Sequence, residues 1–144
     1  MKGKSRVSLL RALLLAVPLA LAVAGCGDST DPITVPTPID VTESFSGTVG
    51  QGGVSYHVVG ARVGLVTLTM TAIGPDPSAT IGMSIGVLNS IACTAVMENP
   101  TARVGNQLVG TATGATTLCV KLFDAGTIAL TDTLSYEITV KYTK

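Results

Sequence analysis

The chain has 144 residues, with nine basic and nine acidic side chains and a formal net charge of zero at pH 7. Four of the basic residues precede Cys26, whereas all nine acidic residues follow it. From Cys26 onward five bases therefore face nine acids, a net charge of −4. A mildly acidic segment with scattered charge excludes the basic footprint of a nucleic-acid-binding protein. We expect no nucleic-acid partner.

Residues 1–25 have the pattern of a secretory signal peptide. An uncharged stretch, residues 12–25, follows a start that carries Lys2, Lys4, Arg6 and Arg11. A membrane-spanning helix needs roughly 20 apolar residues. This stretch is shorter and is interrupted by Pro18. A basic start, a short apolar core and small residues before a cut site predict export rather than a transmembrane helix.

The run that ends at Cys26, Leu-Ala-Val-Ala-Gly-Cys, resembles the lipobox of bacterial lipoproteins. The resemblance implies cleavage before Cys26 and a diacylglyceryl group on its sulfur, usually with a further acyl chain on the new amino terminus in double-membrane bacteria. More than one acyl chain gives a stable anchor. Gly27 stands where an inner-membrane retention signal has aspartate, which favours the outer membrane. The alternative is an ordinary leader that is cut nearby, with Cys26 incidental.

Residues 26–41 are predicted to form an extended tether. They include Asp31-Pro32, Val35-Pro36 and Thr37-Pro38. Proline at this spacing disfavours helix and stiffens an extended chain. We expect the tether to hold a folded domain away from the membrane.

Two cysteines, Cys93 and Cys119, remain once Cys26 is assigned to lipid. In an exported protein an even remainder predicts a disulfide, with two buried free thiols as the alternative. Two distant cysteines and one histidine are too few for a metal centre. We therefore expect neither a metal nor a cofactor.

Residues 42–144 show the pattern of an all-β domain. Apolar and polar residues alternate with period two, most regularly near the carboxyl terminus, and turn residues separate the runs. About eight strands without an amphipathic helix predict an antiparallel β-sandwich of jelly-roll type. The predicted strands cover residues 45–49, 54–59, 66–72, 81–87, 92–97, 107–112, 118–123 and 134–142.

Three segments resemble the bacterial pre-peptidase C-terminal (PPC) domain. Residues 43–49 with 55–58 look like its opening strands, residues 114–122 like its "aGtYyvrV" strand, and residues 136–140 like its closing strand. The resemblance implies a non-catalytic jelly-roll-like module over residues 41–143. The acidic strand typical of that family is replaced by Gly82-Met83-Ser84-Ile85, so no calcium or ligand site is transferred.

No nucleophile elbow, zinc-protease or phosphate-loop motif is present. His57 is the single histidine and is expected on the solvent side of its strand, although a weak hydrolase that uses it is one hypothesis. Separated carboxylates at Asp124, Asp132 and Glu137 could converge to serve glycoside hydrolysis or to bind calcium, but they are expected to be solvated loop charges. The alternating threonines of residues 67–71 are interpreted as one exposed strand face rather than a water-ordering surface.

The sequence thus predicts a lipid-anchored envelope protein, not an enzyme, whose sandwich binds a protein or glycan ligand or serves a structural role. The alternative is an inhibitor or accessory subunit of an exported protease or cell-wall hydrolase.

Overall fold

The computed structural model describes residues 37–144, which form eight β-strands and no helix. The predicted signal peptide, Cys26 and most of the predicted tether lie outside the described residues. In the described part of the chain, no helix is long and apolar enough to cross a membrane. The strands are β1 (Asp40–Gly50), β2 (Val54–Ala61), β3 (Gly64–Gly74), β4 (Ile81–Asn89), β5 (Ala92–Ala102), β6 (Gln107–Ala112), β7 (Thr116–Phe123) and β8 (Thr133–Thr143).

The strands form two antiparallel four-stranded sheets. The first has the order β1-β8-β3-β6 and the second the order β2-β7-β4-β5. This is the strand order of an eight-stranded jelly roll, so the predicted β-sandwich is confirmed. The edge strands are β1 and β6 in the first sheet, and β2 and β5 in the second.

The core lies between the sheets, where every second side chain of each strand points inward. In β8 the inward set is Tyr136, Ile138, Val140 and Tyr142, all at most 2% exposed. Leu68 and Met70 of β3 and Ile81 and Met83 of β4 are also fully buried. The alternation that predicted the strands therefore also selects the core.

Two boundaries differ from the sequence prediction. Strand β1 begins at Asp40, so Asp40 and Val41 pair with β8 and do not belong to the tether. Strand β5 runs through Pro100 to Ala102, where the prediction ended it at Met97. Strand β5 lies at an edge of its sheet. Its open side therefore has no neighbouring strand that would need the N–H donor that proline lacks.

Candidate binding surface

The two outer faces of the sandwich differ in chemistry. Edge strand β1 presents hydroxyl side chains outward, namely Thr42, Ser44, Ser46 and Thr48. Edge strand β2 presents Val54, Tyr56 and Val58, which are 49%, 57% and 50% exposed. Single exposed apolar residues are ordinary, but a contiguous patch marks an interaction site. We call these outward residues of the second sheet the β2 stripe.

The strand register sets which residues of β7 border this apolar row. Val54 lies opposite Phe123 on β7, and Val58 lies opposite Cys119. Tyr56 lies between them, opposite Lys121. On β7 the β2 stripe is thus flanked by the aromatic ring of Phe123 at one end and by the disulfide-bonded Cys119 at the other. The cationic side chain of Lys121 flanks its centre.

The Lys121 side chain is held in place by two neighbours. Its Nζ lies 3.6 Å from Oε2 of Glu98 and 4.4 Å from the centroid of the Phe123 ring. Ser84 of β4 pairs with both Lys121 and Glu98, so the salt bridge passes over Ser84. The Oγ atom of Ser84 is fully buried and has no hydrogen-bond partner among residues 37–144. A small residue at this position lets the bridge close over the strand.

The predicted disulfide is confirmed: Cys93 of β5 is bonded to Cys119 of β7, with Cα atoms 5.9 Å apart. Strand β4 lies between these two strands in the sheet. The bond passes over Gly86, where a Cβ atom would overlap the backbone carbonyl of Thr94. A glycine at this position is therefore what allows β5 to approach β4 closely enough for the disulfide to form.

His57 points inward rather than to solvent, so the sequence prediction was wrong. Its Nε2 lies 2.7 Å from the Tyr136 hydroxyl, which donates a 2.6 Å hydrogen bond to Oγ of Ser55. The imidazole ring of His57 stacks on Phe45 of β1 at a centroid distance of 4.7 Å. Partial burial lowers the pKa of His57 from its ordinary 6.5. The Ser55–Tyr136–His57 network links the two sheets at the side where β1 faces β2.

This network has the groups of a proton relay, but its geometry serves packing. The hydrogen bonds join His57 to Ser55 only through Tyr136, which is 2% exposed. No carboxylate hydrogen-bonds the imidazole among residues 37–144. A general base that activates serine bonds that hydroxyl directly and is oriented by a third group. The arrangement supplies a hydrogen-bonded link between sheets.

The three carboxylates of the sequence analysis do not converge on a metal site. Asp124 accepts a hydrogen bond from the N–H of Gly52 at one oxygen, and bonds from residues 126–128 at the other. These bonds, that from Gly52 foremost, lower the pKa of Asp124. Asp132 and Glu137 are exposed. Among residues 37–144, no group of three His, Cys, Asp or Glu is placed to hold a metal.

The alternating threonines lie on the outer face of the first sheet as predicted, but the row is interrupted. Thr69 lies opposite Thr139 of β8, and Gln107 of β6 donates a 3.2 Å hydrogen bond to its Oγ1. The register of β3 against β8 shifts between Met70 and Ala72, so Thr71 falls in a bulge. A bulge bends the strand. The hydroxyls therefore do not continue as a flat row.

An apolar cleft of about 280 Å³ opens on the opposite side of the sandwich, between edge strands β5 and β6. Its walls include Val66, Ile85, Met97 and Leu118, and residues 110–116 form its rim. None of the lining residues carries a charge. The sequence does not predict this cleft, because only the packing of the sheets defines it.

No protein-family model matches the chain, and neither does any curated protein. Solved structures that resemble it include the Yersinia pseudotuberculosis-derived mitogen, with 10% identity over 72% of this chain and 85% of the other, and a TM-score of 0.49. Another is PliG of Aeromonas hydrophila, a periplasmic lysozyme inhibitor of g-type lysozyme, with 14% identity over 74% of this chain and 86% of the other, and a TM-score of 0.44. At these scores neither likeness bears on function.

Proposed function

We propose that this protein is a lipid-anchored lipoprotein of the cell envelope whose β-sandwich binds a protein partner through the β2 stripe. The sandwich acts as a non-catalytic module, and the outer membrane is its favoured location. The observation that carries the binding role is the exposed row of Val54, Tyr56 and Val58 on one sheet face.

The anchoring part of the proposal rests on the sequence around Cys26. The basic start, the short apolar stretch and the small residues before Cys26 all fit a lipoprotein signal peptide. The disulfide between Cys93 and Cys119 fits an oxidising compartment. Intact mass of the membrane-extracted protein is expected to show an acylated chain that begins at Cys26. An unmodified chain that begins elsewhere would overturn the anchor.

The binding part rests on how the β2 stripe is bordered. Protein interfaces have an apolar centre, often with tyrosine, and a polar rim. Tyr56 stands at the centre of the stripe, and the salt-bridged pair of Lys121 and Glu98 stands at its border. The side chain of Lys121 is already fixed by two neighbours, so a partner loses little side-chain entropy in ordering it.

The test places a photo-crosslinking amino acid at Tyr56 in the full chain in living cells. The matched control places the same residue at Ser46, which is exposed on the other sheet. We expect a discrete adduct with a different protein from position 56 and none of that mass from position 46. The same adduct from both positions, or none from position 56, would contradict the proposed surface.

A second measurement separates a specific partner from incidental capture. Val58→Thr keeps a β-branched side chain but removes apolar surface, and Ser46→Ala is its control on the other face. Co-purification of the crosslinked partner should fall in the first variant and persist in the second. Should the partner be an exported hydrolase, its activity with and without this protein decides whether the role is inhibition.

A further inference from the structure

Strand β2 has an open edge that lacks the usual protection. It pairs with β7 on one side and with no strand on the other, among residues 37–144. An edge strand is normally protected by charged side chains, proline, a bulge or shortness. Strand β1 carries Asp40 and Glu43, β5 has Pro100 and two register shifts, and β6 has six residues. Strand β2 is eight residues long, in unbroken register, and contains neither proline nor lysine.

The phase of the β2–β7 ladder shows which backbone groups face the open edge. The N–H of Asp124 donates a 3.1 Å hydrogen bond to the carbonyl of Gly53. Hydrogen-bonded and non-hydrogen-bonded pairs alternate in an antiparallel ladder. Odd-numbered residues of β2 therefore bond to β7, and the backbone groups of Val54, Tyr56 and Val58 point to the open edge.

We propose that a second copy of this chain pairs with this edge, β2 antiparallel to β2, about a twofold axis at Tyr56. In that register Tyr56 faces its own copy and Val54 faces Val58 of the other chain. Each of these pairs exchanges two backbone hydrogen bonds, because the groups involved are those that β7 leaves free. The second sheets of the two copies then form one continuous sheet across the axis.

A second copy fits this edge because the edge is self-complementary. The order valine, tyrosine, valine at positions 54, 56 and 58 gives the same pattern in either direction. In an isologous contact the same patch of both chains meets about the axis, so Val54 of each chain meets Val58 of the other. Residues 54–61 carry no aspartate, glutamate, lysine or arginine. No like charges are therefore brought together along the paired strands.

The dimer does not depend on the proposed partner, although it uses the same strand. Edge pairing occupies the backbone of β2, while the side chains of the β2 stripe stay on the outer face of the sheet. The twofold axis brings both stripes side by side. The apolar surface available to a partner would thus be doubled rather than covered.

The first test is cysteine crosslinking of the full chain in cells, read on non-reducing gels after thiol quenching. Directly opposed residues in a hydrogen-bonded pair have Cα atoms about 5.5 Å apart, within disulfide range. Tyr56→Cys should give a species of twice the monomer mass, and Val54→Cys alone should not. Val54→Cys combined with Val58→Cys should restore it. Equal crosslinking by Tyr56→Cys and Ser46→Cys would overturn the dimer.

The second test measures the mass of the intact lipoprotein in mild detergent by light scattering, with circular dichroism as the folding control. Tyr56→Lys and Tyr56→Glu each oppose like charges at the axis, which is unfavourable. Each variant should be monomeric alone, and their mixture should give a dimer. A monomeric wild type, or a mixture that stays monomeric, would overturn the proposal. An adduct of a different protein at Tyr56, without the homodimer, would support the proposed function and refute this inference.

Discussion

The hydroxyl of Tyr136 lies 2.7 Å from Nε2 of His57 and 2.6 Å from Oγ of Ser55. One buried side chain of the first sheet thus joins two inward side chains of the second. Tyr136 reaches them across Gly47, its partner in the register of β1 and β8. This link joins the two sheets on the side where β1 faces β2, next to the β2 edge for which we propose a second copy.

The network makes stability depend on pH through His57. Burial lowers the pKa of His57, so the folded protein resists the proton that the unfolded chain accepts near pH 6.5. The unfolded state then binds more protons, and the free energy of unfolding falls as the pH drops below about 6.5. Above that pH the imidazole is neutral in both states and contributes no slope.

The measurement is urea denaturation at pH 7.5 and 5.5 for the wild type and His57→Gln. Glutamine retains a donor and an acceptor but does not titrate in this range. We expect the wild type to lose more stability than the variant between the two pH values. Carboxylates such as Asp124 contribute equally to both proteins. An identical loss in the two proteins would refute the role of His57.

Tyr136→Phe removes one hydroxyl and keeps the ring in the core. Ser55 and His57 then each lose a hydrogen-bond partner in a partly buried place. Such a loss costs about 1–3 kcal/mol. Denaturant unfolding of Tyr136→Phe, Ser55→Ala and the double variant forms a cycle. Costs that simply add would show that the Tyr136–Ser55 bond contributes nothing to stability.

The strands and the disulfide were predictable from sequence because both depend on local or countable features. Alternation over residues 134–142 already identifies Tyr136 and Tyr142 as inward, and the structure buries both. The pairing of Cys93 with Cys119 follows because these two cysteines remain once Cys26 is assigned to lipid. Strand ends were less predictable: Pro100 is compatible with β5 only because that strand lies at an edge.

The orientation of β2 was not predictable, because both of its faces read as half apolar. Val54, Tyr56 and Val58 alternate with Ser55, His57 and Val59, and the sequence alone favoured the histidine as the outward residue. The structure reverses this, since Tyr136 supplies a buried partner for Ser55 and His57 from a distant strand. The β2 stripe was missed for the same reason.

Gly47→Ala tests how closely Tyr136 passes over β1. A Cβ atom at Gly47 would lie 2.5 Å from the Tyr136 hydroxyl oxygen and 2.9 Å from its ring. Overpacking of this kind costs about 1–3 kcal/mol. Gly60→Ala is the matched control, because nothing lies within 4 Å of a Cβ there. Thermal unfolding should rank Gly47→Ala well below Gly60→Ala. Equal melting temperatures would mean that Tyr136 can move aside freely.

Replacing both Cys93 and Cys119 by alanine tests how far the disulfide stabilises the second sheet. The bond closes a loop with a sequence separation of 26. Loop-closure entropy for such a length corresponds to about 3–4 kcal/mol. Cys119 is 1% exposed, so its replacement also loses buried contacts, which the wild type reduced with dithiothreitol retains. Urea denaturation should therefore order the stabilities as oxidised wild type, reduced wild type, then the double variant. Equal stability of the oxidised and reduced wild type would show that packing over Gly86, rather than the covalent bond, holds β5 against β4 and β7.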